Sequence, residues 1–182
     1  MAQVKNMQIR RHSFKKDGHI TTEGLAKLQS KNSLFYPAGI SDVFCGSALS
    51  RTTQSALAAI CYHGIKAKVH PTDKRMGSSE LFTAWSMIGF NILVKNGDNP
   101  LSALKDLLGA KALDILKLNL GMAIEDAFDK TSRHGLIYGH SPLIELIAEI
   151  FSEEPFDTQL KPNEGILLVK EDYKINLAML LK

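Results

Sequence analysis

Cysteine is scarce in this sequence. The 182 residues include only two cysteines, Cys45 and Cys61. A small secreted protein held together by disulfides needs more cysteines than this, and a zinc site built from cysteines needs them in closely spaced pairs. The composition therefore excludes both classes of protein and favours a cytoplasmic location, where thiols stay reduced.

Long apolar runs are also missing. No stretch approaches the length of about 20 apolar residues that a membrane-spanning helix requires, and the opening MAQVKNMQIRR lacks the continuous apolar core of a signal peptide. The formal net charge is only +3, which suits a small anionic ligand but is weaker than the basic surface of a nucleic-acid-binding protein. We expect one domain over residues 1–182, with neither a membrane nor a nucleic acid as partner.

Short apolar or alternating segments recur along the chain, separated by segments in which apolar residues have helical spacing. Such an alternation of strands and helices is typical of proteins with a mostly parallel sheet covered on both faces. We therefore predict an α/β fold, a three-layer α/β/α sandwich with a mostly parallel central sheet. The predicted strands cover residues 4–10, 41–47, 65–71, 134–139, 165–170 and 174–180.

Capping residues and glycines predict where the helices begin and end. Serine, threonine and asparagine side chains accept hydrogen bonds from the free N–H groups of a first helical turn. The predicted caps are Thr21 or Thr22, Asn99 and Ser141. Gly64 predicts the end of one helix, and Gly109 and Gly121 predict breaks in the long helical segment 101–129.

Cationic and imidazole side chains follow three of the predicted strands. His12 comes directly after the first strand, His140 comes after the fourth, and Arg51 lies in the first turn after the second. The carboxyl ends of parallel strands meet at one edge of a sheet, where open α/β folds bind their ligands. We therefore expect these three side chains and Arg11 to surround one point.

Together these groups predict a pocket for a phosphate-sized anion. The guanidinium groups of Arg11 and Arg51 match phosphoryl oxygens in pairs and stay charged at any working pH. The same charges oppose protonation of a neighbouring histidine, and a neutral imidazole is a usable nucleophile. Backbone N–H groups at the start of the helix after His140 could add donors. Phosphoryl transfer depends mainly on positioning and positive charge, so this set requires no metal and no cofactor.

Three motifs make the sequence resemble the histidine phosphatase superfamily, also called phosphoglycerate mutase-like. Its first motif is Arg-His with a small residue, followed by Leu-Thr-x-x-Gly, and its second is Ser-x-Leu-x-Arg-x-x-Gln-Thr-Ala. Its third is a strand followed by Gly-His. The first reads Arg11-His12-Ser13 and then Ile20-Thr21-Thr22-Glu23-Gly24, the second is met by Ser47, Leu49, Arg51, Gln54, Ser55 and Ala56, and the third is YGHSP at 138–142. The motifs stand in the correct order and span most of the chain.

The resemblance implies a role for each matched residue. His12 would be phosphorylated transiently, Arg11 and Arg51 would hold the phosphoryl group, and His140 would complete the pocket. The substrate-binding residues that it implies are Arg11, Arg51, Ser13 and Ser141. The implied fold is phosphoglycerate mutase-like, and the implied activity is metal-independent hydrolysis of a phosphoric monoester or a phosphoamide.

The branch of the superfamily depends on the acid that protonates the leaving group. Acid phosphatases of this kind carry an aspartate directly after the second histidine, and Ser141 occupies that place. The mutase-like branch supplies a glutamate after the third strand, for which Glu80 is our candidate catalytic acid. The short chain and the sequence GHSP are most similar to small bacterial phosphohistidine phosphatases, which need no dedicated acid because imidazole leaves more easily than an alkoxide. We therefore expect a phosphohistidine protein or a small phosphomonoester as substrate.

Two alternatives stay open. Ser13 replaces the usual glycine or alanine after the first histidine, and the aspartate after His140 is missing, so the chain could be a catalytically impaired module that binds a phosphorylated partner. A phosphoglycerate mutase-type phosphotransferase is the weaker alternative, because it needs an acid and a sugar-phosphate pocket. Residues 74–133 match none of the motifs, and we expect substrate choice to depend on them.

Overall fold

The computed structural model describes residues 4–30, 34, 39–45, 50–71, 73–95 and 99–182. Within these residues the strands are β1 Lys5–Arg11, β2 Lys15–Lys16, β3 His19–Ile20, β4 Asp42–Cys45, β5 Lys68–His70, β6 His134–Gly139, β7 Gly165–Glu171 and β8 Lys174–Leu181. The helices are α1 Thr22–Leu28, α2 Ser50–His63, α3 Ser79–Met87, α4 Phe90–Lys95, α5 Pro100–Lys130 and α6 Leu143–Phe151, with a short 3-10 turn at Lys74–Met76.

Six of the strands form one sheet in the order β5-β4-β6-β1-β7-β8. The first four in this order run parallel, and β7 and β8 complete one edge in antiparallel pairing. In the β1–β6 pair, Ile9 lies opposite Ile137 and Arg11 lies opposite Gly139. The short strands β2 and β3 form a separate hairpin. The predicted mostly parallel sheet is confirmed.

Helices cover both faces of this sheet. Along β6, Leu136 and Tyr138 are buried in one apolar cluster with α1 and α2, whereas Ile137 is buried in another with α5 and α6. Successive side chains of a strand point to opposite faces, so one strand contributes to both clusters. The predicted three-layer architecture is therefore confirmed. Among the helices that the structure describes, none has the length and apolar content to cross a membrane.

Most of the predicted helix boundaries are found. Thr21 caps α1, Asn99 caps α5 with Pro100 directly after it, and Gly109 interrupts α5 with φ 68° and ψ 167°. The second predicted break, at Gly121, is wrong, because the helix continues through that residue. Burial of its neighbours against α6 outweighs the weak helix propensity of one glycine.

The predicted cap at Ser141 is also wrong. Pro142 is the residue that precedes α6, and no side chain caps this helix. The Ser141 hydroxyl instead donates a hydrogen bond to the carboxylate of Glu145, at 2.7 Å. A capping serine would accept a hydrogen bond from a backbone N–H of the helix. The carboxylate of Glu145, one turn into the helix, is a charged acceptor for the serine's own proton, so the hydroxyl is directed towards it.

Three neighbouring parallel strands end at the edge where the candidate site lies. His12 follows β1 and its backbone N–H donates to the carbonyl of Gly139, at 3.0 Å. His140 follows β6, which pairs with β1 on one side and with β4 on the other. Arg51 is the second residue of α2, the helix that follows β4. The topology therefore brings together residues that are far apart in the sequence.

Candidate active site

The two histidines at the ends of β1 and β6 are in contact. The ring centroids of His12 and His140 are 4.9 Å apart, with an angle of 60° between the ring planes. Both residues are buried, with 5% and 2% of their surface exposed. Adjacent parallel strands in register place the residues that follow them side by side, so this contact results directly from the β1–β6 pairing.

The hydrogen bonding of His12 determines which of its nitrogens can react. Nδ1 lies 2.8 Å from the backbone carbonyl oxygen of Ser13. Because a carbonyl only accepts hydrogen bonds, Nδ1 carries the proton of the neutral ring. Nε2 therefore keeps its lone pair and can act as a nucleophile.

His140 has the opposite arrangement. The Nε–H of Arg51 donates a hydrogen bond to Nδ1 of His140, at 3.3 Å. A guanidinium has no acceptor, so in the neutral ring of His140 the proton lies on Nε2. The pair thus offers one imidazole with a lone pair and one that can donate a hydrogen bond to a phosphoryl oxygen.

Both imidazoles are held in the neutral form. Burial lowers the pKa of His12 to about 3; the charges of Arg51, Arg11 and Lys15 act in the same direction, and the hydrogen bond to Ser13 opposes them. Burial lowers the pKa of His140 to about 2, with smaller effects of His12, Arg51 and the other cations. At neutral pH the nucleophilic lone pair of His12 is therefore available.

Three cations lie at the histidine end of one cavity. Arg11, Lys15 and Arg51 line it together with both histidines. Burial lowers the pKa of each of these cations, and Arg11 and Arg51 lower the pKa of Lys15 further by like-charge repulsion. Such clustering of like charges becomes favourable when an anion lies between them. The predicted convergence of Arg11, His12, Arg51 and His140 is thus present in the structure.

Solved structures share this architecture. A phosphoglycerate mutase from Bacillus anthracis matches with a TM-score of 0.65 at 14% identity, over 97% of this chain and 92% of that one. A mycobacterial glucosyl-3-phosphoglycerate phosphatase matches with a TM-score of 0.56 at 11% identity, over 100% and 99% of the two chains. A protein from Nakamurella multipartitia described as the phosphohistidine phosphatase SixA matches with a TM-score of 0.54 at 15% identity, over 100% and 97%.

The chain has the phosphoglycerate mutase-like fold. This confirms the fold that the three sequence motifs implied. No protein-family model matches the sequence, and a search of curated proteins found no match. Because the identities are low, the likeness establishes the fold, and the activity has to be argued from the geometry of the site.

In this phosphoglycerate mutase-like chain, Ser13 is buried and does not line the cavity. Its hydroxyl donates to the backbone carbonyl of Gly24, at 2.8 Å, and its N–H donates to the hydroxyl of Ser55, at 3.2 Å. The prediction of Ser13 as a substrate-binding residue is not supported, because its side chain is directed towards α1. The hydroxyl group also fits beside His12 without displacing it.

Residues of the second motif are hydrogen-bonded to the segment that contains the first motif. Ser55 accepts the hydrogen bond from Ser13 and donates one to the carbonyl of Arg51, at 2.8 Å. Gln54 accepts a hydrogen bond from the N–H of Ile20, at 3.0 Å. These motif residues therefore fix the position of α2, which carries Arg51, relative to the segment that carries His12. Ser47 and Leu49, also assigned to this motif, lie outside the described residues.

Ser141 does line the cavity, and its hydroxyl connects the cavity to a glutamate that our sequence reasoning missed. Glu145 is 2% exposed, and its Oε1 accepts hydrogen bonds from Ser141 and from the N–H of Leu160, at 3.1 Å. The carbonyl of Leu160 in turn accepts a hydrogen bond from the guanidinium of Arg11. Burial raises the pKa of Glu145. This residue thus holds in place the loop that orients Arg11, and a glutamate inside the apolar segment LIELIAEIF was the available signal.

Glu80, the predicted acid, lies in the first turn of α3 and is not among the residues that line the cavity. The pKa of its carboxyl is lowered by a hydrogen bond from its own backbone N–H and by hydrogen bonds from Ser78 and Ser79. A lowered pKa is unfavourable for a group that has to donate a proton. Glu80 is thus the neighbour of Ser79, which does line the cavity, and the structure gives no geometric support for an acid role of Glu80.

Metal ligands do not cluster at this site. In the part of the chain that the structure describes, no group of three or more histidine, cysteine, aspartate or glutamate residues is arranged to hold a metal ion.

Proposed function

We propose that this protein is a phosphatase that works through a covalent phosphohistidine at His12. The observation that carries the proposal is the pairing of two neutral, buried imidazoles in one cavity with three cations. His12 supplies the lone pair, and Arg11, Arg51 and Lys15 supply positive charge for the phosphoryl oxygens. Positioning and charge are what phosphoryl transfer mainly requires.

The reaction has two steps. In the first, Nε2 of His12 attacks phosphorus, the bond from phosphorus to the leaving group breaks, and the leaving atom takes the electron pair and a proton from water, which leaves a hydroxide ion. In the second, water attacks the phosphorus, the P–N bond breaks, its electron pair returns to Nε2, and the proton that the attacking water releases neutralises the hydroxide ion. Inorganic phosphate leaves, and His140 and the arginines contact the phosphoryl oxygens throughout.

The substrate we propose is a phosphohistidine protein or a small phosphomonoester. The fold neighbours include proteins named as phosphatases of a sugar phosphoglycerate and of phosphohistidine, which supports this class of reaction. None of the cavity-lining residues that the structure describes is a carboxylic acid, so the leaving group takes its proton from water. A cytoplasmic location, supported by the scarcity of cysteine, belongs to the same proposal.

The test compares the wild-type protein with His12→Asn in the hydrolysis of 4-nitrophenyl phosphate. We expect His12→Asn to lose turnover by roughly 10³-fold or more, as loss of a nucleophile does in other enzymes. His63→Gln is the matched control, because His63 lies at the end of α2 and does not line the cavity. Circular dichroism and thermal unfolding confirm that each variant is folded.

Two outcomes would overturn the proposal. Turnover by His12→Asn at the wild-type rate would exclude His12 as the nucleophile. Tight binding of inorganic phosphate or vanadate by the wild-type protein, with no hydrolysis of any phosphoester or phosphoramidate, would instead show a phosphate-binding module without catalysis.

A further inference from the structure

The cavity extends well beyond the two histidines. Its volume is about 470 Å³, which lies within the range of about 300–1,000 Å³ typical of sites for small organic ligands. A phosphoryl group between His12 and His140 would occupy only the end of this volume. The remainder can hold the group to which the phosphoryl group is attached.

Among the described residues that line the cavity, the charged ones are Arg11, Lys15 and Arg51, and all three belong to the histidine end. Their mutual effects on ionisation show that these cations lie close to one another. The rest of the cavity wall therefore faces the leaving group without a cation of its own.

The opposite wall comes from one face of α3. Ser79, Phe82, Thr83 and Ser86 line the cavity, and their spacing of three, four and seven residues places them on one side of a helix. The first residues of α4 continue this wall with Phe90 and Asn91. The described residues of this wall are thus uncharged, with aromatic rings beside hydroxyl and amide groups.

Aromatic rings begin at the catalytic end of this wall. The ring of Phe82 lies edge-on to His140, with centroids 4.9 Å apart, and contacts Trp85 at 5.4 Å. Trp85 contacts Phe90 at 5.6 Å. Because Phe82 touches an imidazole of the site, whatever group carries the phosphoryl group lies against it.

Two polar side chains of the wall, Ser86 and Asn91, are hydrogen-bonded to each other. The Ser86 hydroxyl donates to the carbonyl of Phe82, at 2.9 Å, and the side-chain amide of Asn91 donates to that hydroxyl, at 2.7 Å. These bonds fix α4 against α3. A second anionic group on the substrate would lose water here without meeting a positive charge, which is costly.

We propose that the substrate carries its phosphoryl group on an uncharged, flat ring that packs against Phe82 and Phe90. This inference rests on the proposed function and narrows its substrate class. Two sources supply such a ring: an ester of an aromatic alcohol, and the phosphorylated imidazole of histidine. Substrates with a second phosphate or a carboxylate next to the ester belong outside the class.

The first experiment measures kcat/KM of the wild-type protein for benzyl phosphate, ethyl phosphate and 4-carboxybenzyl phosphate. All three release a primary alcohol, so differences in leaving-group basicity contribute little. We expect benzyl phosphate to exceed each of the others by about tenfold or more, since the ring gains packing and the carboxylate loses hydration. Equal values for benzyl and ethyl phosphate, or a 4-carboxybenzyl value as high as that of benzyl phosphate, would overturn the inference.

The second experiment adds a cation to the wall. Thr83→Lys places an ammonium group on the cavity face of α3 and is expected to reduce the preference for benzyl over 4-carboxybenzyl phosphate by at least about fivefold. Ala84→Lys is the matched control, because Ala84 is the next residue of α3, is exposed and does not line the cavity. An equal effect of both lysines would show that the wall does not face the ring, and would overturn the inference.

The two sources of the ring are separated by comparing benzyl phosphate with phosphoimidazole and free phosphohistidine. Each rate is divided by the rate of the same compound without the protein, because imidazole leaves more easily than an alkoxide. The larger ratio identifies the source, and either result retains the ring. The failures are also distinguishable. Release of phosphate from none of these compounds, with no phosphorylated His12, would overturn the proposed function, whereas hydrolysis without ring preference would overturn only this inference.

Discussion

Two buried histidine environments at the carboxyl ends of two parallel strands of the sheet, β5 and β1, differ in the charge that surrounds them. His70, at the end of β5, lies 2.7 Å from a carboxylate oxygen of Asp42 and stacks on Phe44 with centroids 4.4 Å apart. His12, after β1, has a backbone carbonyl and a second imidazole as neighbours, with arginines around both. His70 is hydrogen-bonded to a carboxylate, whereas His12 lies among cations.

This difference in surroundings gives two histidines of one sheet different properties. Although burial raises the pKa of Asp42, hydrogen bonds from His70, Ser132 and Ser41 lower it to about 2, so the carboxylate stays ionised and fixes its imidazole. At the other site the cations and burial keep His12 neutral. We therefore expect a structural role for the histidine bonded to a carboxylate and a nucleophilic role for the histidine among arginines.

After the loss of His12 itself, the largest expected effect comes from removing a cation beside the two imidazoles. Arg51→Ala should reduce kcat/KM for 4-nitrophenyl phosphate by roughly 10²–10³-fold, because Arg51 both orients His140 and neutralises phosphoryl oxygens. Arg51→Lys should recover only part of this loss, since an ammonium lacks the planar fork. Arg75→Ala is the control, because Arg75 pairs with Asp73 and Asp126 instead. Wild-type kinetics in Arg51→Ala would contradict the assigned role.

The next change is made at the other histidine and removes the carboxylate of Asp42 beside His70. Asp42→Asn should lower the free energy of unfolding by about 2 kcal/mol, because the buried imidazole of His70 loses the carboxylate with which it shares a hydrogen bond. The kcat per folded molecule should stay at the wild-type value. Urea unfolding and steady-state kinetics at a temperature where the variant is folded measure the two quantities. A loss of kcat with unchanged stability would contradict the structural role that we expect for the Asp42–His70 pair.

The pH dependence of the free energy of unfolding tests whether His12 and His140 are neutral in the folded protein. The folded pKa of His12 is about 3 and that of His140 is about 2, below the unfolded value of about 6.5. The unfolded chain therefore binds more protons between these values, and stability is lost as the pH falls below about 6.5. Each histidine should contribute about 2 kcal/mol of this loss between pH 7 and pH 5.

The measurement is urea unfolding of the wild type and of His12→Asn at these two pH values in phosphate-free buffer. His12→Asn should show a smaller loss of stability than the wild type, by about the contribution of one histidine. An unchanged loss would indicate that His12 is not held neutral by its surroundings.

The smallest effect is expected at the glutamate behind the site. Glu145→Ala leaves the hydroxyl of Ser141 and the N–H of Leu160 without their acceptor, so Arg11 loses its fixed neighbour. We expect kcat/KM to fall roughly tenfold, the equivalent of about one hydrogen bond. Most of the change should appear in KM, because the nucleophile is untouched.

Glu145→Gln keeps an acceptor at the same place and should restore most of the activity. Glu149→Ala is the matched control one turn further along α6, where the carboxylate binds Lys105 and Lys117. If Glu145→Gln is as impaired as Glu145→Ala, the carboxyl group has a role other than accepting these two hydrogen bonds.

The sequence contains local signals for most of the fold and for the reactive residues. The strand pattern and the caps at Thr21 and Asn99 depend on neighbours within a few residues, and these predictions are confirmed. The convergence of His12 and His140 follows from parallel topology alone, because both follow strands that turn out to be adjacent.

Other features depend on contacts that a linear sequence does not display. Ser13 turns its hydroxyl towards Gly24, and Ser141 turns towards Glu145 and away from the helix end that it was expected to cap. The cavity wall on α3 lies in a segment without motifs, and its role depends on Phe82 meeting His140 across the fold. Such tertiary partners could not be assigned from spacing.

The central claim is that His12 and not a carboxylate-bonded histidine takes the phosphoryl group. The most direct measurement is rapid alkaline quenching of the protein during turnover of a labelled phosphoester, followed by peptide mapping, because the P–N bond of phosphohistidine survives in base. The account predicts a phosphoryl group on the peptide that contains His12 and none on that peptide in His12→Asn. A phosphoryl group on His70 or on any other residue, or steady turnover with no labelled peptide, would contradict it.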